Sequence, residues 1–104
     1  AVIVEMRSYV LRPGALPEFM RLMGSEGIGI ERPILGDMLG FYSTEIGAIN
    51  KVIHLWRYAS FEDRQQRRAQ LTASPEWTAF VPKVLPLIQE MHNELLNPAP
   101  FSPQ

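Results

Sequence analysis

The 104-residue chain has no cysteine and only two histidines, His54 and His92. Lack of cysteine excludes a disulfide framework and any thiolate metal site. The two histidines show neither H-x-x-x-H nor H-E-x-x-H spacing, so no metal ligand set is predicted. Long apolar runs are missing too. No stretch reaches the ~18 apolar residues that a membrane span needs, and the opening AVIVEMRSY has no basic n-region. The expectation is a cytoplasmic protein with no membrane partner. Charge of neither sign dominates: ten Lys and Arg face eleven Asp and Glu, for a formal charge of −1. That balance argues against nucleic acid as a partner. Gly24, Gly27 and Gly29 do not follow a strand, which removes the phosphate-loop and dinucleotide readings, and no G-x-S-x-G elbow is present. No resident cofactor is expected.

What the chain does have is a globular composition, with 46% hydrophobic residues. One domain over 1–104 is expected, with 97–104 as an extended Pro-rich tail. Val2–Arg12 alternates as a strand and stops at Pro13-Gly14. Leu16, Phe19, Met20 and Met23 then mark one helix face, with Pro17 in the first turn. The glycines end that helix near Glu26, and Gly27–Gly36 is expected to be irregular around Gly29 and Pro33. Met38–Glu45 is a second strand, in which Leu39 and Phe41 share a face and Gly40 marks a bulge or a close approach. Ile46–Ile49 is short enough for a hairpin into Asn50–Tyr58. Ser60 and Asp63 form a capping pattern before a helix running from Phe61 to about Thr72. Ser74-Pro75 opens another, kinked at Pro82, ended by Pro86 and carrying Trp77, Phe80 and Val84 as core. Ile88–Leu96 is a last strand.

The order β-α-β-β-α-β is the split, ferredoxin-like α+β arrangement: a four-stranded antiparallel sheet with two helices on one face. Its first and third strands lie side by side at the centre. Asn50–Tyr58 has two faces, Ile53 and Leu55 on one side and Val52, His54, Trp56 and Tyr58 on the other. The apolar face is assigned to the helices. Glu5, Arg7 and Tyr9 then join His54, Trp56 and Tyr58 on the open face. So much aromatic area would not stay in water, and a homodimer closing sheet to sheet would cover it.

The candidate chemistry falls on that polar-aromatic face. His54 is the candidate general acid/base, or a haem axial ligand; a hydrogen-bonded interface histidine is the competing role. Arg7 could clamp a small organic anion through its planar fork, or pair with Glu5 or Glu45. Tyr9, Tyr42, Trp56 and Tyr58, together with Glu5, would pack around a planar ligand, or anchor the interface. Arg64, Arg67 and Arg68 share a helix face and read as solvated, balanced by Glu62 and Asp63. Phe101 is expected to dock the tail.

VEMRSYVLRPG, GFYSTEIGAINKVIHLWRY, SPEWTAFV and PAPFSP together resemble the NIPSNAP family, in order, from Val4 to Pro103. The resemblance implies a dimeric α+β barrel. It implies links to vesicle transport and mitochondrial quality control in animal members, and no general reaction. Two functions follow as expectations. The first is a dimeric module that binds a small ligand or another protein. The alternative is a cofactor-free or haem-recruiting enzyme of monooxygenase or isomerase type. It would act on a small planar anionic molecule, with His54 moving the proton.

Overall fold

The structure is a computed structural model that describes residues 1–103, so the last residue of the expected tail, Gln104, lies outside it. In chain order the elements are β1 (Ile3–Leu11), α1 (Leu16–Leu22), a π-helical turn (Met23–Gly27), α2 (Ile28–Leu35), β2 (Asp37–Ser43) and β3 (Lys51–Tyr58). Then come α3 (Phe61–Ala73), α4 (Pro75–Val84), a 3₁₀ turn (Leu85–Leu87) and β4 (Ile88–Leu96). The sheet order is β2-β3-β1-β4, with every pairing antiparallel. This is the α+β, ferredoxin-like arrangement, with β1 and β3 central.

The caps follow the sequence. The Ser60 hydroxyl accepts from the Asp63 amide at 3.0 Å, while the Asp63 carboxylate accepts from the Ala59 amide at 3.2 Å. The Ser74 hydroxyl accepts from the Trp77 amide at 3.3 Å and opens α4. Gly36, at φ 93°, stops α2 in a conformation that side chains with a Cβ avoid.

The stretch 27–36, expected to be irregular, is helical instead. Gly27 adopts helical φ/ψ of −62° and −47°, and the π turn carries the chain from α1 into α2 without a break. Gly27 lies against the Phe80 ring and the Met23 sulfur, each 2.8 Å from where a Cβ would stand. Packing against α4 thus holds in a helix residues whose propensity disfavours one.

The assignment of sheet faces is also corrected. His54, Trp56 and Tyr58 of β3 and Glu5, Arg7 and Tyr9 of β1 point under the helices, where all are buried. Trp56, Tyr58 and Tyr9 are the largest side chains of the two strands, and each removes more area from water than Val or Ile. The charged members neutralise one another, as described below. The aliphatic side of the strands, with Met6, Val10, Ile53 and Leu55, is the face that no helix covers. In β2 the register shifts between Met38 and Gly40, so Met38 pairs with Trp56 and Phe41 with His54. Leu39 and Phe41 therefore do not share a face. The close approach at Gly40 comes from the Tyr42 ring, which occupies the space a Cβ would need.

The core has two lobes on the helix side. One gathers Tyr9, Leu11, Phe19, Leu22, Met23, Val52, Phe80 and Val84. The other gathers Ile3, Leu35, Trp56, Tyr58 and Leu71. The tail bends at a turn, with the Ser102 amide donating to the Ala99 carbonyl at 2.9 Å, and leaves Phe101 91% exposed.

Candidate functional site

Where the first lobe meets β4, the packing leaves a cavity of about 170 Å³ between the sheet and the helices. Its floor is Arg7 and Tyr9 of β1 and His54 of β3. Its roof brings Glu31 from α2, Arg68 from α3 and Trp77 from α4, and Phe19, Met23 and Val84 supply apolar wall. Leu85 and Met91 also line it and stay about half exposed, so its mouth lies at the β4 edge of the sheet.

The floor is built on a fully buried carboxylate. One oxygen of Glu5, Oε2, accepts from Arg7 Nη1 at 3.1 Å, Arg64 Nη2 at 2.8 Å and Asn93 Nδ2 at 2.8 Å. Burial alone would raise its pKa, but these donors win and hold it down at about 2. Arg7 also donates from Nε to the Tyr9 hydroxyl at 3.0 Å. The guanidinium that faces the cavity is thus fixed on two sides.

His54 is 1% exposed. Its Nδ1 accepts from the Trp56 indole N–H at 2.7 Å. An acceptor at Nδ1 places the ring proton on Nε2. Phe41 stacks on the imidazole with centroids 4.5 Å apart, and Tyr9 meets it edge-on at 5.0 Å. Burial first, then the nearby Arg7, push its pKa down to about 3. The ring is therefore neutral at any physiological pH. In this setting it presents a fixed N–H donor of low basicity.

Glu31 behaves in the opposite way. It is 3% exposed, and burial raises its pKa to about 7, against the pull of Arg68 and Arg7. Its Oε1 and His54 Nε2 are both buried without a protein hydrogen-bond partner among the described residues. Both residues line the cavity, and an unpartnered polar atom on each is a group that a polar ligand bound there could satisfy.

The family's sequence profile, NIPSNAP, matches residues 4–103. The chain belongs to the NIPSNAP family. It is 39% identical over 101 residues to Protein NipSnap of Drosophila melanogaster, covering 97% of this chain and 36% of that protein. It thus spans well under half the length of the curated relatives it matches. A crystal structure of a NIPSNAP-like domain protein from Burkholderia xenovorans is 47% identical, with a TM-score of 0.96 over 99% of this chain and 90% of that one. That of a NIPSNAP protein from Agrobacterium tumefaciens is 44% identical, with a TM-score of 0.97 over 99% of this chain and 98% of that one.

In this NIPSNAP chain, Arg7, Tyr9 and His54 meet at the cavity. Glu5 and Trp56 stand behind them and orient them. Tyr58 belongs to the second lobe, away from the cavity, and Tyr42 pairs with Ile53 on the uncovered face. The arginine stripe of α3 is a solvated face only at Arg67, which pairs with Asp63 as expected. Arg64 reaches Glu5, Arg67 binds Asp63 and the Ile34 carbonyl, and Arg68 enters the site. Glu31 and Arg68 were the residues missed. Their signals are spacings: Ile28, Glu31 and Leu35 share one helix face, and Arg64 and Arg68 share theirs with buried Leu71.

Proposed function

We propose that this NIPSNAP domain binds a small organic anion, of about single-ring size, in the cavity between sheet and helices. Size supports this. An apolar cavity of about 150 Å³ is known to accept benzene, close to the 170 Å³ here. A porphyrin is several times larger, which disfavours the haem-recruiting alternative. Charge supports it more strongly. Arg7, Arg64 and Arg68 surround one firm carboxylate, Glu5, and one that is about half protonated at neutral pH, Glu31. The deciding observation is Arg68. Arg68 lines the cavity, yet among the described residues no carboxylate stands within 4 Å of its side-chain nitrogens. An anion would close that surplus in a place where charge interactions are little screened.

Calorimetry with benzoate and with neutral, isosteric benzamide tests the proposal. Benzoate should bind and benzamide should bind less well. Arg68→Ala should weaken benzoate about 10- to 100-fold, the worth of one charge-assisted hydrogen bond. Equal binding of acid and amide would overturn the anion assignment.

The domain is also proposed to be a homodimer through the uncovered sheet face. Met6, Val10, Ile53 and Leu55 give it an apolar centre, bordered by Lys51, His92 and Glu94, the make-up of an interface with a polar rim.

A further inference from the structure

The cavity holds more than an anion needs. Arg68 and Arg7 account for a carboxylate. They leave unexplained an N–H donor locked in one tautomer, buried among aromatic rings, and a carboxyl group in the roof with one oxygen unpartnered. We propose that the site removes a proton from carbon: Glu31 takes the C3 proton of a bound 2-oxo carboxylate while His54 Nε2–H donates to its C2 carbonyl oxygen. This rests on the anion-binding proposal and names the ligand class, a short 2-oxo acid with an apolar tail.

The chemistry of the donor set leads to that class. The cavity spans about one ring, so anion, hydrogen-bond acceptor and reacting carbon must lie within a few bonds of each other. In a 2-oxo acid the carboxylate adjoins the carbonyl, and the carbonyl acidifies the C3–H bond. The tail finds Phe19, Val84 and Trp77. The step balances without oxidant or reductant. The C3–H bond breaks and the proton passes to a Glu31 oxygen. Its electron pair forms the C2=C3 bond, and the carbonyl π pair moves onto oxygen. That enolate oxygen accepts from His54 Nε2–H and lies near the arginines. Return of a proton from Glu31 to C3 completes an exchange; protonation of the oxygen by solvent gives the enol.

Each group is suited to its part. A base must be unprotonated often enough at neutral pH and still basic, and a buried carboxyl is both. Glu31 faces Arg68 of α3 and Arg7 and Glu5 of β1; burial and the Glu5 carboxylate favour its protonated form, and the two guanidiniums keep it ionisable against them. A neutral imidazole N–H is an effective electrophile because it stays a donor throughout, with Trp56 holding the other nitrogen.

Exchange of C3 protons in deuterium oxide, followed by proton NMR, tests this with 2-oxobutanoate and 2-oxopentanoate. Binding of the same acids and of benzoate is followed by calorimetry. The wild-type domain should wash out the C3 signal faster than buffer does. Glu31→Gln should fall to the buffer rate while its affinity stays within about threefold, and benzoate binding certifies its fold. Glu31→Asp, which keeps the carboxylate but withdraws it, should exchange slowly. His54→Phe should lose about 100-fold, the usual worth of one oxyanion donor. Binding of the oxo acids without exchange would overturn the proton transfer and leave the anion site standing. Exchange that survives Glu31→Gln would overturn the role of Glu31. Failure of both oxo acids and benzoate to bind would overturn both proposals.

Discussion

Glu31 and His54 pull stability in opposite directions as pH changes. The native Glu31 keeps its proton up to about pH 7, whereas the unfolded carboxyl loses it near 4.5. Native protein therefore binds more protons in that window, and stability falls as pH rises through it, by roughly 3 kcal/mol in all. His54 runs the other way. The unfolded imidazole takes a proton below 6.5, while the native one stays neutral down to about 3. Stability therefore rises with pH between those values. The two slopes cancel from about 4.5 to 6.5, and only the Glu31 loss continues beyond. Glu5, whose contribution is lost as pH falls from 4.5 through about 2, acts below this window. Urea midpoints should thus be nearly level from pH 4.5 to 6.5 and drop toward 7.5. In Glu31→Gln they should climb to 6.5 and then hold. Parallel profiles for the two proteins would show that Glu31 does not titrate high in the folded state.

At the scale of elements, the long first helix turns on two glycines, two residues apart, with opposite roles. Gly27 is pressed by Phe80 and Met23, while nothing lies within 4 Å of a Cβ at Gly29. Gly29→Ala should stabilise by up to about 1 kcal/mol through helix propensity. Gly27→Ala should instead destabilise by about 1–3 kcal/mol, because overpacking outweighs that gain. Thermal midpoints of the pair decide it, at roughly 4–8 °C per kcal/mol for a domain of this size. Stabilisation by both would mean that α4 yields easily. Much of this architecture was legible in the sequence: both Ser caps, four strands within a residue or two of their ends, and the pairing of β1 with β3. The continuation of the helix through Gly27 was not, because propensity is local and the Phe80 contact comes from 53 positions later. The face reversal has a similar cause. Hydrophobicity ranks Ile53 and Leu55 above His54 and Glu5. Yet His54 and Glu5 find their partners only in the folded molecule, in Trp56, Arg7, Arg64 and Asn93. Glu31 and Arg68 stayed hidden for the same reason, one in a presumed loop and the other in a presumed solvated stripe.

For the whole molecule, the reversed sheet makes a different demand on a partner copy than the polar-aromatic face would have made. A four-stranded face with strands ~4.8 Å apart and ~25 Å long presents roughly 500 Å². A stable interface takes about 800 Å² from each partner, so the sheet alone falls short. The shortfall matches what flanks it. Phe101, 91% exposed, rims a groove with Val4, Leu39, Leu55 and Leu96 on this face. A second copy that covers the sheet and takes in the tail would reach the standard size. The domain should therefore scatter light as a body of twice 11.8 kDa at micromolar concentration. Leu55→Asp would place an unpaired carboxylate at the centre of the contact and should give a folded monomer. Phe101→Ser should weaken the dimer by about 10- to 100-fold in dissociation constant, the loss of one buried aromatic anchor. Because the cavity lies on the helix side of the sheet, with its mouth at the β4 edge, benzoate affinity should survive in both variants. A dimer that ignores Leu55→Asp, or a wild-type domain that is monomeric at these concentrations, would mean that the aliphatic face meets something other than its own copy.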